Sequence, residues 1–212
     1  MSGINDGQQH APSFWQKYKM LLFAAVMVIA LAGVLMYKLV WSIEPIPVLK
    51  QMDNFTLQNM NGDTFNFDDT AGKVRLVSFI FTNCPDVCPA TTHLMAQLQD
   101  DLQKEGLFGK EVVFVTVAFD HERDTPEALQ KYAEAFGADT SGWYFVRGGQ
   151  QEIKQVADMF GVYIQKNKQG LYDHSMYTFL IDGESNLRKL HGMASDLDLE
   201  ELKLDIKQLV EE

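Results

Sequence analysis

The amino-acid sequence predicts an α/β domain carried behind one membrane-spanning helix. Three observations predict it. An uncharged apolar run fills residues 20–37, apolar strand-like runs alternate with amphipathic helical stretches from residue 52 onward, and turn residues punctuate each change of period. Composition agrees, since 46% hydrophobic and 22% charged residues is ordinary for a globular chain of 212 residues. The net charge of −11 argues against a nucleic-acid partner and favours cationic ones, metal ions included.

Residues 1–19 are polar, with Gly, Gln and Ser, and read as a short disordered tail. Residues 20–37 carry no formal charge. Extended through Lys38, which can snorkel, to Trp41, the run reaches the roughly 20 residues that span a bilayer. Trp15, Tyr18, Tyr37 and Trp41 flank it as interfacial aromatics. No small-x-small pair and no cysteine follow it before WSIEPIP, so an uncleaved anchor over 20–41 is expected, not a cleaved signal peptide. Lys17 and Lys19 precede the span, which places the tail in the cytoplasm and the main domain outside the cell membrane. Residues 42–51, with Pro45 and Pro47, read as a stiff linker.

The domain, 52–212, opens with FTLQNMNGDTFNF, two alternating segments about an Asn61-Gly62 turn. A buried strand at 74–81 and a helix at 90–104 come next, then a second buried strand at 112–119. Thr125-Pro126-Glu127 opens a helix that Gly137 stops. A short strand at 143–146, a helix at 152–160 ended by Gly161, and a hairpin of 177–181 with 187–190 about Asp182-Gly183 follow. Leu199, Leu202, Ile206 and Leu209 line one face of a last helix, with Ser195 as its expected N-cap.

The chemistry is expected at FIFTNCPDVCP, residues 79–89, which holds the chain's two cysteines, Cys84 and Cys88. They sit where a strand gives way to a helix, and such strand ends border the crevice where α/β sheets bind ligands. With Pro89 at the first helical position, Cys88 would be the N-cap, and the helix dipole would favour two exposed thiolates. A structural disulfide across so small a ring is worth only about 2 kcal/mol. Redox exchange and metal binding are the stronger readings, because both want thiolate sulfur within reach of a partner.

TNCPDVCP at 82–89, VAFDHERDTP at 117–126 and YDHSMYTFLID at 172–182 resemble, in order and spacing, the Sco/SenC family of copper-delivery proteins. The resemblance covers about residues 52–210. It implies a thioredoxin-like fold and a copper site made by Cys84, Cys88 and His174. It further implies a metallochaperone holding one copper, as Cu(I) or Cu(II), that delivers it to the CuA site of cytochrome c oxidase subunit II. Upstream, a copper donor or a thiol reductant would serve it. The alternative is a thiol–disulfide oxidoreductase that cycles a Cys84–Cys88 disulfide to keep the recipient's cysteines reduced. A thiol peroxidase would carry Pro and Thr where this chain has Val77 and Phe81.

The donor set suits copper, because thiolates are soft and imidazole serves both of its oxidation states. Structural zinc would want a fourth protein ligand. Asp173 is expected to orient the site. His121 stands where the family carries proline, at the end of a neighbouring strand, and is expected either as an auxiliary ligand or as a loop residue. His10, His93 and His191 are expected to be tail, helix-surface and polar-turn residues, Met95 and Met159 core. Asp120, Arg123 and Asp124 read as a solvated capping loop.

Overall fold

The computed structural model describes residues 14–41, 44–168 and 170–212. The tail up to residue 13, His10 included, lies outside the described residues, as do the side chains of Trp15, Lys17, Lys38 and Trp41. The chain divides into two units, with the boundary between Pro45 and Ile46. The first contains α1 (Phe14–Trp41), 28 residues long and so about 42 Å from end to end. Its Tyr18–Tyr37 stretch has a mean hydropathy of 2.6 and no buried position. A helix this long and apolar has the length and composition to cross a membrane.

In the second unit β1 (Lys50–Gln51) is followed by the hairpin β2 (Thr56–Asn59) and β3 (Thr64–Asn66). Then come β4 (Val74–Ile80), α2 (Val87–Lys104), β5 (Val112–Ala118), α3 (Pro126–Ala135), β6 (Trp143–Arg147) and α4 (Gln150–Phe160). A small ribbon, β7 (Ile164–Lys166) with β8 (Tyr172–His174), precedes the closing hairpin β9 (Tyr177–Ile181) and β10 (Asn186–Gly192) and the last helix α5 (Leu199–Glu211). Eight strands make one sheet in the order β1-β10-β9-β4-β5-β6-β2-β3, and β7 and β8 pair only with each other.

Strands β4 and β5 are buried at every residue, as their mostly apolar sequences favour for parallel strands covered on both faces. They pair in parallel from Val74 with Val112 to Ile80 with Ala118. Across its other edge β4 meets β9 antiparallel, with Ser78 opposite Thr178. On one face Phe79 packs edge-on against Phe160 of α4 and Phe179 of β9. On the other, Trp143 donates its indole N–H to Thr116 Oγ1 at 2.9 Å and stacks on Phe145, which Tyr132 of α3 contacts. Thr92 of α2 bonds Tyr132 at 2.9 Å, and Lys203 of α5 pairs with Asp101 of α2 at 3.0 Å. Three helices therefore cover one face and α4 the other.

Several local expectations need correction. The stretch read as linker joins the domain from Ile46 on. Ile46 is buried and its carbonyl accepts from the Arg188 guanidinium, while Lys50 and Gln51 pair with Leu187 and Asn186. Helix α5 is capped by Asp198, whose carboxylate accepts from the N–H groups of Glu200 and Glu201; Ser195 falls in a 3₁₀ turn ahead of it. Asp ranks with Ser as a cap, and Asp198 stands directly before the first helical residue. His191 lies inside β10, buried, with Nε2 3.1 Å from Asp205 Oδ2. Met95 is core as expected, and Met159 packs against that core.

Phe79 is fully buried between two other rings. Phe79→Ala should therefore cost about 3–5 kcal/mol, read by urea unfolding followed through the buried tryptophan. A loss below about 1 kcal/mol, the scale of a volume-conserving swap, would contradict this packing.

Candidate metal centre

Because β4 and β5 run parallel, their carboxyl ends reach the same edge of the sheet. Antiparallel β9 begins there. Three chain segments are thus delivered to one place: 81–88 after β4, 119–124 after β5, and 172–176 before β9.

Helix α2 begins two residues earlier than the proline suggested. Its N-cap is Asp86, so Cys88 is the second helical residue and Pro89 the third, still within the turn whose N–H groups have no helical acceptor. The Asp86 side chain makes no cap bond. Instead the Cys88 N–H points at Cys84 Sγ, 3.5 Å away, so sulfur takes the position a capping oxygen usually fills.

The two thiols are consequently unlike. Both are free, Cys84 partly exposed and Cys88 wholly buried, which corrects the expectation of two sulfurs at an exposed edge. The Cys88 S–H donates to the Cys84 sulfur, and that bond is the main reason the Cys84 thiol is lowered to about 5. Burial opposes the shift, while the backbone N–H groups of Asp86 and Cys88 and the charge of His174 assist it. The same hydrogen bond, followed by burial, pushes the Cys88 thiol upward. The pair is a thiolate braced by a buried thiol.

His174 ends β8. Its ring lies edge-on to Phe119, with centroids 5.2 Å apart, and to Phe81 at 6.2 Å. Tyr172, two residues earlier and so on the same face of the strand, touches the same two rings. Nδ1 of His174 is 2.8 Å from the Ser175 carbonyl. A carbonyl only accepts, so in the neutral imidazole Nδ1 carries the proton and Nε2 keeps a lone pair for a ligand bond. That carbonyl, and not Asp173, holds the ring; Asp173 is exposed on the opposite side of the strand. Among the described residues no three His, Cys, Asp or Glu side chains close to metal-binding distance. His174 and the thiols share the crevice without meeting at a common point.

Beneath them lies a polar network that sequence reasoning took for a solvated loop. Asp120 and Asp124 are wholly buried. Asp124 Oδ1 accepts from the Thr82 N–H and hydroxyl at 2.9 and 2.7 Å, and Oδ2 from the Asp120 N–H at 3.0 Å. Burial raises the Asp124 carboxyl above the usual range. Arg123 Nε pairs with Asp120 Oδ2, and the Tyr172 hydroxyl donates to Oδ1 at 3.2 Å. Thr82 and Tyr172 flank the Cys84 and His174 motifs, and their hydroxyls were the available sequence signal for buried acceptors nearby. His121, half-buried, lines a cavity of about 530 Å³ with Ile153, Tyr163 and Tyr172, whose walls include neither cysteine nor His174. His93 is exposed on α2.

Residues 46–211 match the family model described as SCO1/SenC. The chain belongs to that family. A SCO2-like protein of Rickettsia conorii is 33% identical over 142 residues, which cover 64% of this chain and 66% of the relative. The chain thus spans just under two thirds of that relative's length. The structure of Arabidopsis thaliana ScoI with copper bound matches with a TM-score of 0.67 at 29% identity, over 77% of this chain and 100% of that one. The structure of BsSco, a member of the Sco family of cytochrome c oxidase assembly proteins in which a disulfide switch is described, matches with a TM-score of 0.69 at 26% identity. It is covered to 98%, against 79% of this chain. The α/β domain has the thioredoxin-like fold of these Sco structures.

Only Cys84 is both exposed and thiolate-prone. Alkylation by iodoacetamide should therefore climb through pH about 5 at Cys84, with Cys88 unmodified until the protein is denatured. Peptide mass spectrometry reads both sites, and equal labelling of the two in the native protein would overturn the asymmetry.

Proposed function

We propose that this chain binds one copper ion per domain through Cys84, Cys88 and His174. It delivers that ion to the CuA site in subunit II of cytochrome c oxidase during assembly of the oxidase. The observation that carries this reading is the packing of the His174 imidazole, with its Nε2 uncommitted in the neutral form, against Phe81 at the start of the thiol segment and against Phe119. Two sulfurs and one imidazole nitrogen form a soft, three-donor set suited to Cu(I) that also serves Cu(II). The likeness to a copper-bound Sco structure supports the choice of metal. Copper is cargo here, taken from an upstream donor and passed on. Residues 20–41 anchor the chain in the cell membrane, with the short tail on the cytoplasmic side and the domain outside.

A second reading has its own observation. A thiolate-prone, exposed Cys84 beside a buried Cys88 is the arrangement of an attacking and a resolving thiol. In that reading the chain reduces the recipient's cysteines and closes a Cys84–Cys88 disulfide. Cargo transfer to a dithiol site requires that site reduced, so one protein can perform both steps.

Titration of the reduced chain should reach one copper per chain, with a thiolate-to-metal charge-transfer band in the Cu(II) form. Cys84→Ser or Cys88→Ser should abolish tight binding, and full stoichiometry in either variant would sink the copper assignment. His174→Ala should weaken copper binding strongly while leaving the dithiol–disulfide equilibrium nearly intact. Cells carrying His174→Ala that still assemble active oxidase at limiting copper would favour the reductase.

Location has a separate check. The protein should stay with membranes through carbonate washing, with Cys84 open to impermeant thiol reagents from outside the cell. A soluble, N-terminally shortened protein would contradict the anchor.

A further inference from the structure

The β7–β8 ribbon that carries His174 shares no backbone ladder with the main sheet. A two-stranded ribbon is marginal by itself, so, beyond its short link to β9, side-chain contacts set its position beside the thiol segment. Three polar contacts reach it from the 120–124 loop. Lys166 pairs with Glu122 at 2.5 Å on the exposed surface, where ion pairs are worth little. The Tyr172 hydroxyl donates to the buried Asp120 carboxylate. Arg123 does more, because its planar guanidinium spans two acceptors at once. Nε serves Asp120 Oδ2, and Nη2 donates to the Gly170 carbonyl at 2.6 Å, in the turn between β7 and β8 where Gly170 has a φ of +79°. The loop is fixed in turn to the thiol segment, since Asp124 accepts both polar hydrogens of Thr82 and the Asp120 N–H. Cys84 follows two residues after Thr82, its N–H bonded to the Phe81 carbonyl. One continuous path thus runs from the Cys84 turn through Asp124, Asp120 and Arg123 to the ribbon turn.

We propose that Arg123 is a positioning residue that holds the His174 ribbon in place over the Cys84–Cys88 turn. The proposal rests on the reading of His174 as a copper ligand. Arg123 touches neither metal nor thiol; it fixes where the imidazole stands relative to them. Lysine at this position keeps a positive charge beside the buried Asp120 but offers a single ammonium in place of a fork, so Arg123→Lys separates position from charge. Tyr172→Phe removes the companion bond while keeping the ring on Phe81 and Phe119.

The test uses the full chain in detergent micelles and reads two properties. In the copper-free protein, amide hydrogen exchange should lose protection across 164–175 in Arg123→Lys, and to a smaller extent in Tyr172→Phe, with β4 and α2 unchanged. In the Cu(II)-loaded protein, pulsed electron paramagnetic resonance should show imidazole nitrogen coupling in the parent and a weakened coupling in Arg123→Lys. Chelator withdrawal of copper should be about tenfold faster in that variant, with the dithiol–disulfide equilibrium unmoved. Unchanged ribbon protection in Arg123→Lys overturns the proposal, as does a loss spread evenly over the whole domain. A parent without imidazole coupling overturns the ligand reading instead, and the exchange result then decides whether Arg123 clamps the ribbon.

Discussion

The pairing of β4 with parallel β5 on one side and antiparallel β9 on the other is the constraint on which the site depends. Parallel strands bring two carboxyl ends to one edge, and an antiparallel neighbour adds the start of a third strand to that edge. The register makes this quantitative, with Ile80 opposite Ala118 and Ser78 opposite Thr178. A slip of one residue would turn each alternate side chain to the wrong face. Phe79 could not then meet Phe160 and Phe179, nor could Ser78 bond Thr116 on the opposite face at 3.1 Å. Packing far from the crevice therefore decides where Cys84, Phe119 and His174 stand.

At that edge the fold buries two carboxylates beside the thiol segment. Burying an uncompensated charge is costly, and here Asp124 is compensated by three hydrogen bonds and Asp120 by an arginine and a phenol. The charge of Asp124 also bears on one sulfur, being among the causes that raise the Cys88 thiol. Cys84 escapes because Cys88 and the first N–H groups of α2 donate to it. One sulfur is thus prepared as a thiolate by local donors, and the other is kept as a thiol by its surroundings.

The parts of this arrangement legible in the sequence were those with long, repeated patterns. Largely apolar runs announced β4 and β5, Thr125-Pro126 marked the start of α3, where Thr125 accepts from the Ala128 N–H, and the cysteine spacing located the reactive turn. The ribbon was missed because strands of three residues carry too few alternations to register. The two-residue β1 was missed likewise. Asp120 and Asp124 were misjudged because an acidic loop containing an arginine is ordinarily solvated. Their burial follows from acceptor demand on Thr82 and Tyr172, which are distant in sequence. His121 looked close to the thiols on topology alone, but its place on a separate cavity depends on where the ribbon and α4 fold around the loop.

What would distinguish the proposed copper site from a closed metal-storage site is how unequally its three donors are held. Cys88 is fixed inside α2 and fully buried, so its sulfur can move only with the helix. Cys84 sits in the turn before that helix and is partly exposed. His174 belongs to a strand pair outside the main sheet's ladder, resting on aromatic rings, the Arg123 fork, the Tyr172–Asp120 bond and an exposed ion pair. Donors anchored in this graded way can let go in sequence, the imidazole first and the helix-bound sulfur last. Transfer of a soft metal to another set of thiolates proceeds through such stepwise exchange of ligands, because no intermediate then leaves the ion without partners. A rigid cage would bind more tightly and hand over more slowly. Under the proposed copper reading, the marginal ribbon suits a site that must release what it holds.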